Sequence, residues 1–283
     1  MTATTVGEAL STAQHAIDRL DAQYLLAHLL GVSRASLIAR PDRPLAAAAA
    51  ATYRNWIAER ANGKPVAQII GIREFYGRDF CIDEHVLIPR PETEILVEQA
   101  LAAISEQNSL KVPAEIGLSI LDMGTGSGAI AVTLALELPG AAVTAVDVSA
   151  EALRRARANA RKLNANVAFV RSDWYADLGG LRFDMIVANP PYIARDDSHL
   201  TKGDLRFEPL AALTDQSADG LDAIRTIIAG ASGHLLHAGW LLIEHGFDQA
   251  AKVRGLMDAA GLGSVRSVRD LAGIERVSMG RLG

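Results

Sequence analysis

The chain has 283 residues, of which 49% are hydrophobic and 22% charged, with a formal net charge of −5. This describes one large globular domain with a smaller companion and excludes disordered and fibrous classes. The acidic balance gives no general attraction for a polyphosphate backbone, so no direct nucleic-acid partner is expected.

One cysteine, Cys81, can make neither an internal disulfide nor a thiolate metal site, and the histidines have no repeating ligand spacing, so no metal is expected. Met1 to Leu10 lacks the basic start and apolar run of a leader, and no stretch is apolar over the width of a bilayer; the expectation is a cytoplasmic protein away from membranes.

Taken in chain order, Ala9, Leu10, Ala13, Ala16, Ile17 and Leu20 recur at helix spacing, and Leu25, Leu26, Leu29 and Leu30 repeat the pattern up to Gly31. Ser33 to Ile38 and Leu45 to Arg60 read as further helices around Pro41 and Pro44, so residues 1–70 form a small helical domain. From Ile69 to Ile88 the pattern turns alternating and aromatic, broken by Gly77 and Asp83, which predicts a hairpin linker over 71–88. Glu92 to Ile104 is again helical, with acids in the first turn, where the helix end is positive.

The remainder of 89–283 alternates strand and helix. Strands are predicted at Leu118 to Met123, Ala142 to Val146, Val167 to Arg171, Phe183 to Ala188, Trp240 to Glu244 and Val265 to Arg269, with helices from Ile130, Ala150, Asp219 and Gln249. That order describes an α/β domain with a parallel, doubly wound sheet, whose ligands sit beyond the carboxyl ends of the strands.

The chemistry-bearing residues stand at those ends. Gly124, Thr125, Gly126, Ser127 and Gly128 follow the first strand and open a helix, so a ligand can approach the backbone closely; this loop alone fits a dinucleotide or another adenosine cofactor. Asp147 ends the second strand, where a carboxylate can accept both ribose hydroxyl protons, and Asp173 and Trp174 end the third, where an acid and an indole can hold adenine. Asn189, Pro190, Pro191 and Tyr192 follow the fourth. The prolines remove backbone donors and leave carbonyls and the Asn189 side-chain oxygen as acceptors, which suits a planar NH2 group facing a methyl sulfonium.

Asn189 to Tyr192 resembles the signature of amino methyltransferases acting on planar nitrogens. The stretches Gly71 to Gly77 and Val86 to Glu94, continued by Glu244, His245, Gly246 and by Asp270 to Val277 with Gly280 and Arg281, resemble the release factor glutamine methyltransferases, the HemK or PrmC family, over nearly the whole chain. The resemblance implies a Rossmann-like class I S-adenosylmethionine-dependent methyltransferase with a small N-terminal helical domain and a β-hairpin linker. It further implies methyl transfer to N5 of the glutamine in the Gly-Gly-Gln tip of class I peptide chain release factors, in translation termination, with S-adenosylhomocysteine as product. Gly124 to Gly128, Asp147, Trp174 and Asn189 would bind the cofactor, and Asn189 to Tyr192 the glutamine. Two departures touch local loop contacts: Met123 stands where leucine is usual, and Leu210, Ala211 and Ala212 follow Glu208 and Pro209 where the family often has a basic or polar residue.

A ribosomal-protein glutamine methyltransferase is the nearest alternative, although its members tend to depart from the Pro89 to Thr93 pattern kept here. A DNA adenine-N6 methyltransferase would present the same NH2 geometry, and Lys64, Arg73, Arg78 and Arg90 could make a local basic patch for it. A nicotinamide oxidoreductase would leave Asn189 to Tyr192 unexplained. His245 reads as structural. The polar stretch Ile193 to Gln216 reads as a lid or binding loop, with Asp196, Asp197, Lys202, Asp204, Arg206 and Glu208 facing solvent or partner, and with the helical domain it would clasp the release factor.

Overall fold

The computed structural model describes residues 4–108 and 117–283; Met1 to Ala3, part of the leader reading, lie outside the described residues. The chain divides into two compact units, Met1–Ile72 and Arg73–Gly283.

The first unit holds α1 (Val6–Ala13), α2 (Arg19–Leu30), α3 (Arg34–Ala39), α4 (Ala47–Ala61) and α5 (Val66–Ile70). Local signals start and stop these helices. Thr5 and Glu8 form a reciprocal capping box on α1, Asp18 caps α2, and Gly31 ends α2 at φ +61° in the left-handed region. Val6, Leu10, Leu25, Leu26, Leu37 and Tyr53 make the core, and the buried Tyr53 hydroxyl donates to the Ala22 carbonyl at 2.9 Å.

The second unit begins in the hairpin of β1 (Ile72–Phe75) and β2 (Arg78–Cys81). Tyr76 and Gly77 turn it at φ +52° and +73°, the hand that matches strand twist. The strands stop earlier than the sequence pattern implies. Beyond Cys81 the chain runs without strand pairing to α6 (Thr93–Asn108).

Then follow β3 (Ser119–Met123), α7 (Ala129–Glu137), β4 (Ala142–Asp147), α8 (Ala150–Leu163), β5 (Val167–Arg171) and β6 (Phe183–Ala188). A connection with two 3-10 turns and α9 (Leu210–Leu213) leads to α10 (Asp222–His234), β7 (Leu235–Glu244), α11 (Ala250–Ala259), β8 (Leu262–Arg269) and β9 (Glu275–Leu282).

Seven strands form one sheet in the order β5-β4-β3-β6-β7-β9-β8. Successive residues of β3, Ile120 and Leu121, enter opposite core clusters, so both faces are covered by helices. The parallel expectation holds from β5 to β7 and fails at β9, which pairs antiparallel with β7 and β8. Val277 to Gly280 are buried without interruption, so β9 lacks the alternation that betrays a half-exposed strand. β3 pairs in parallel with both β4 and β6, and the chain winds in opposite directions from it; the crevice at this reversal receives the loops after β3 and β6.

Candidate active site

A cavity of about 1010 Å³ opens at these carboxyl ends, lined among others by Gly124, Thr125, Gly126, Ser127, Asp147, Asp173, Trp174, Asn189 and Pro191. A smaller one, about 60 Å³, is lined by Pro190, Tyr192, Leu87 and Arg90, and Asn189 lines both. Of the residues expected to bind cofactor or glutamine, Gly128 alone lines neither; it packs on α8, where a Cβ would meet the Ala156 Cβ at 3.1 Å.

The loop after β3 is built from backbone. Gly124, Gly126 and Gly128 sit at φ +71°, +55° and +83°, where a side chain is strained, and the Gly124 and Thr125 amides both donate to the Val146 carbonyl at 2.9 Å. Asp147 accepts from the Gly126 amide on Oδ2 and from the Ser149 amide on Oδ1, each at 2.9 Å, which fixes its carboxylate at the cavity wall. Burial raises its pKa, and those amide bonds oppose the rise.

Beneath the loop, Asp122 is fully buried. Its Oδ2 takes the Thr125 hydroxyl at 2.6 Å and the Ala131 amide at 3.2 Å, whereas Oδ1 has no partner. Burial pushes its pKa up to about 7 against those two bonds, with the Asp147 charge adding to the rise.

Trp174 lies at φ +50°, a strained backbone for a bulky residue, and the Ser172 hydroxyl donates to its carbonyl at 2.8 Å. Its indole reaches over Gly124, where a Cβ would sit 3.8 Å from Cζ3.

The loop after β6 is held by side chains from elsewhere. Asn189 Nδ2 donates to Thr93 Oγ1 at 3.1 Å, and Asn189 Oδ1 is buried with no partner. The Tyr192 carbonyl accepts from Gln249 Nε2 at 2.9 Å, and Gly220 packs so closely that a Cβ there would lie 2.2 Å from the same oxygen. The Tyr192 hydroxyl reaches Glu244 Oε1 at 3.5 Å; burial raises both groups, Glu244 to about 7.

Sequence reasoning gave no role to Thr93, Gln249, Gly220 or Glu244. It also misplaced Glu208. That side chain is buried, accepts from the Ile88 amide at 2.9 Å and pairs with Arg90, so it anchors the polar loop rather than facing solvent. Nor do the four basic residues form a free patch: Lys64 pairs with Glu59, Arg78 with Glu137 and Arg90 with Glu208, and Arg73 donates to the Pro89 carbonyl. His245 is buried, with Nε2 2.8 Å from the Ser278 hydroxyl and its pKa lowered by desolvation. Among the described residues no helix is long and apolar enough to cross a membrane, and no cluster of metal-ligating side chains occurs.

The fold has solved counterparts. A methyltransferase from Pyrococcus furiosus superposes with a TM-score of 0.51 at 21% identity, over 81% of this chain and 98% of that one. The Thermus thermophilus 16S rRNA N2 G1207 methyltransferase, solved with AdoMet and guanosine, has a TM-score of 0.51 at 18% identity, over 75% of this chain and 50% of the other. Residues 108–204 match the methyltransferase small domain, and residues 4–71 match the PrmC N-terminal domain. The fold is that of the Rossmann-like class I methyltransferases.

The release factor glutamine methyltransferase of Burkholderia pseudomallei is 56% identical, over 94% of this chain and 93% of its own; that of Bordetella pertussis is 50% identical, over 94% and 96%. The chain belongs to the release factor glutamine methyltransferase family. It is a methyltransferase of release factor glutamine that uses S-adenosylmethionine, the first of the readings the sequence left open.

Proposed function

We propose that Asn189, Pro190, Pro191 and Tyr192 hold the side-chain amide of the glutamine in the Gly-Gly-Gln tip of a class I release factor while its N5 is methylated. The observation that carries this is that Asn189 lines both the large and the small cavity and that its Oδ1 is a buried acceptor without a partner. An unsatisfied buried carbonyl costs about 1–3 kcal/mol, a deficit that an incoming N–H removes.

The residues present fit S-adenosylmethionine. The positive-φ glycine loop admits close approach of a ligand to backbone, the Asp147 carboxylate keeps lone pairs beyond the two it gives to amides, and the Trp174 indole offers an apolar face. Gly124, Thr125, Gly126, Ser127, Asp147, Trp174 and Asn189 would hold it from the cavity wall, with Gly128 setting the turn against α8. When bound it supplies an electrophilic methyl on a sulfonium and leaves as S-adenosylhomocysteine.

The task of the protein is then positional. The amide lone pair is delocalised into the carbonyl, so the nitrogen is a poor nucleophile. Asn189 Oδ1 accepts one N–H and the proline-restricted carbonyls are available to the other, which fixes the NH2 plane; orientation of this kind contributes about 7–11 kcal/mol in favourable cases. The proton leaves after the nitrogen has become cationic and acidic, so no strong base is needed.

Residues 1–70 act in this reading as the partner-binding helical domain, 71–88 as the hairpin linker and 89–283 as the methyltransferase domain, with the 193–216 loop and the helical domain recruiting the factor in the cytoplasm. Leu20, Tyr24 and Ile38 are 51%, 54% and 59% exposed on the helical unit and are the apolar surface such recruitment would use.

Asn189→Ala should lower kcat roughly 100-fold, as loss of one aimed hydrogen-bonding group does at other transition states, and lower cofactor affinity far less. Labelled methyl should reach the native factor and not one whose Gly-Gly-Gln glutamine is replaced. Unchanged kcat in the variant, or equal labelling of both factors, would overturn the assignment.

A further inference from the structure

The small cavity, about 60 Å³, has three walls that are remote in sequence: Leu87 and Arg90 ahead of α6, Asn189 and Tyr192 after β6, and Ala212 and Leu213 in α9. Hydrogen bonds join these walls in a closed ring. Asn189 Nδ2 donates to Thr93 Oγ1 at 3.1 Å, and the Thr93 backbone amide donates to the Arg90 carbonyl at 3.1 Å, which ties the second wall to the first. The Ile193 amide donates to the Leu213 carbonyl at 3.0 Å, which ties the second wall to the third. Glu208, two residues ahead of α9, completes the ring: Oε2 accepts from the Ile88 amide at 2.9 Å, and Oε1 pairs with Arg90 Nη2.

This last link differs from the others in its chemistry. Its donors are one backbone amide and one guanidinium, and a carboxylate, with two acceptor oxygens and no proton, serves both at once. Glutamine in its place would offer one oxygen and set its NH2 group against the remaining donor. The Glu208 side chain is 0% exposed, so no solvent reaches it to replace a lost arm, whereas the Arg90 side chain is 30% exposed.

We propose that Glu208 and Arg90 are positioning residues that close this ring and hold α9 against the amide-binding wall, so that the substrate nitrogen stays aimed at the methyl donor. This rests on the reading that Asn189 to Tyr192 hold the glutamine amide. Neither residue acts on the reacting atoms. With the link broken, the ring is open between Ile88 and Glu208, α9 withdraws, and the bound amide samples orientations in which its nitrogen misses the methyl. A misplacement of about 1 Å is enough to cost up to about 100-fold in rate. The cofactor is held elsewhere: of the residues assigned to it, Gly124 to Gly128, Asp147 and Trp174 lie on none of the three walls.

The test uses the full-length enzyme and an intact release factor, with Asn189→Ala as the control for the underlying reading. Arg90→Met, which keeps an apolar stem and removes the donor, should lower kcat about tenfold while Kd for S-adenosylmethionine stays within about threefold. Arg90→Lys retains a charged donor for the single bond to Oε1 and should return kcat to within about threefold of the parent. Glu208→Gln should lower kcat as far as Arg90→Met does. Adding it to Arg90→Met should cost less than about a further threefold, because both changes open the same link. Should Glu208→Gln fail to fold, the two variants of the partly exposed Arg90 decide the matter.

The proposal falls if Arg90→Met costs less than about threefold in kcat, if Arg90→Lys is as slow as Arg90→Met, or if Kd for S-adenosylmethionine rises in step with the loss of kcat. If Asn189→Ala itself keeps full kcat, the underlying assignment of Asn189 has failed. If that variant collapses and Arg90→Met does not, only the ring-closing role has.

Discussion

The loops after β3 and β6 leave the same end of adjacent strands and are made differently. The first is a backbone structure: left-handed glycines, amides donating to the Val146 carbonyl, and a carboxylate held by two further amides. The second has fixed φ at two prolines but takes its position from Thr93 on α6, Gln249 ahead of α11 and Gly220 ahead of α10. Damage to the backbone-built loop should therefore appear in cofactor affinity, and damage to the supports of the other loop in turnover.

Gly220→Ala should have the largest effect. The residue sits at φ +66°, and its new Cβ would lie 2.2 Å from the Tyr192 carbonyl oxygen and 2.7 Å from its carbon, atoms of a backbone that Gln249 also holds. Overpacking with strained φ should cost about 3 kcal/mol in urea unfolding, and kcat should fall with it. A variant with parental stability and kcat would show that the amide-holding loop is not clamped from behind.

Gly128→Ala should act more mildly and on the other parameter. At φ +83° the new Cβ would meet the Ala156 Cβ at 3.1 Å and its Cα at 3.2 Å, a contact that a small shift of α8 relieves. Strain of about 1–2 kcal/mol in the glycine loop should weaken S-adenosylmethionine binding about tenfold by calorimetry, with kcat at saturating cofactor near the parent. If kcat falls while Kd holds, the division of labour between the loops is wrong.

The same contrast explains what the sequence discloses. Asp147 ends a strand, and Gly124 to Gly128, Trp174 and Asn189 to Tyr192 each follow one within a few residues, so their placement is local and the strand pattern locates them. Their supports are remote: Thr93 is 96 residues from Asn189, Ile88 is 120 from Glu208, and Gln249 is 57 from Tyr192. No periodicity links such pairs. Glu208 reads as a solvent charge because it closes a stretch that also carries Asp196, Asp197, Lys202, Asp204 and Arg206, and only the fold reveals that Arg90 and the Ile88 amide meet it in the interior. β9 escapes notice for a different reason, being buried on both faces.

The smallest predicted effect concerns Asp122 and separates the loops by pH. Its carboxyl moves from an ordinary 3.8 to about 7 in the fold because burial disfavours the charge and Oδ1 has nothing to accept. The folded state then holds a proton that the unfolded chain releases, so the contribution to stability is fully present below about pH 4 and is lost as pH rises through about 7. Glu244 carries a second share of the same sign from the other loop. Asp122→Asn cannot ionise, keeps an oxygen for the Thr125 hydroxyl and the Ala131 amide, and should flatten part of the fall in urea-unfolding free energy between about pH 4 and 7. Glu244→Gln should flatten the rest. A parental stability slope in Asp122→Asn would mean that the carboxylate beneath the glycine loop does not titrate in that window.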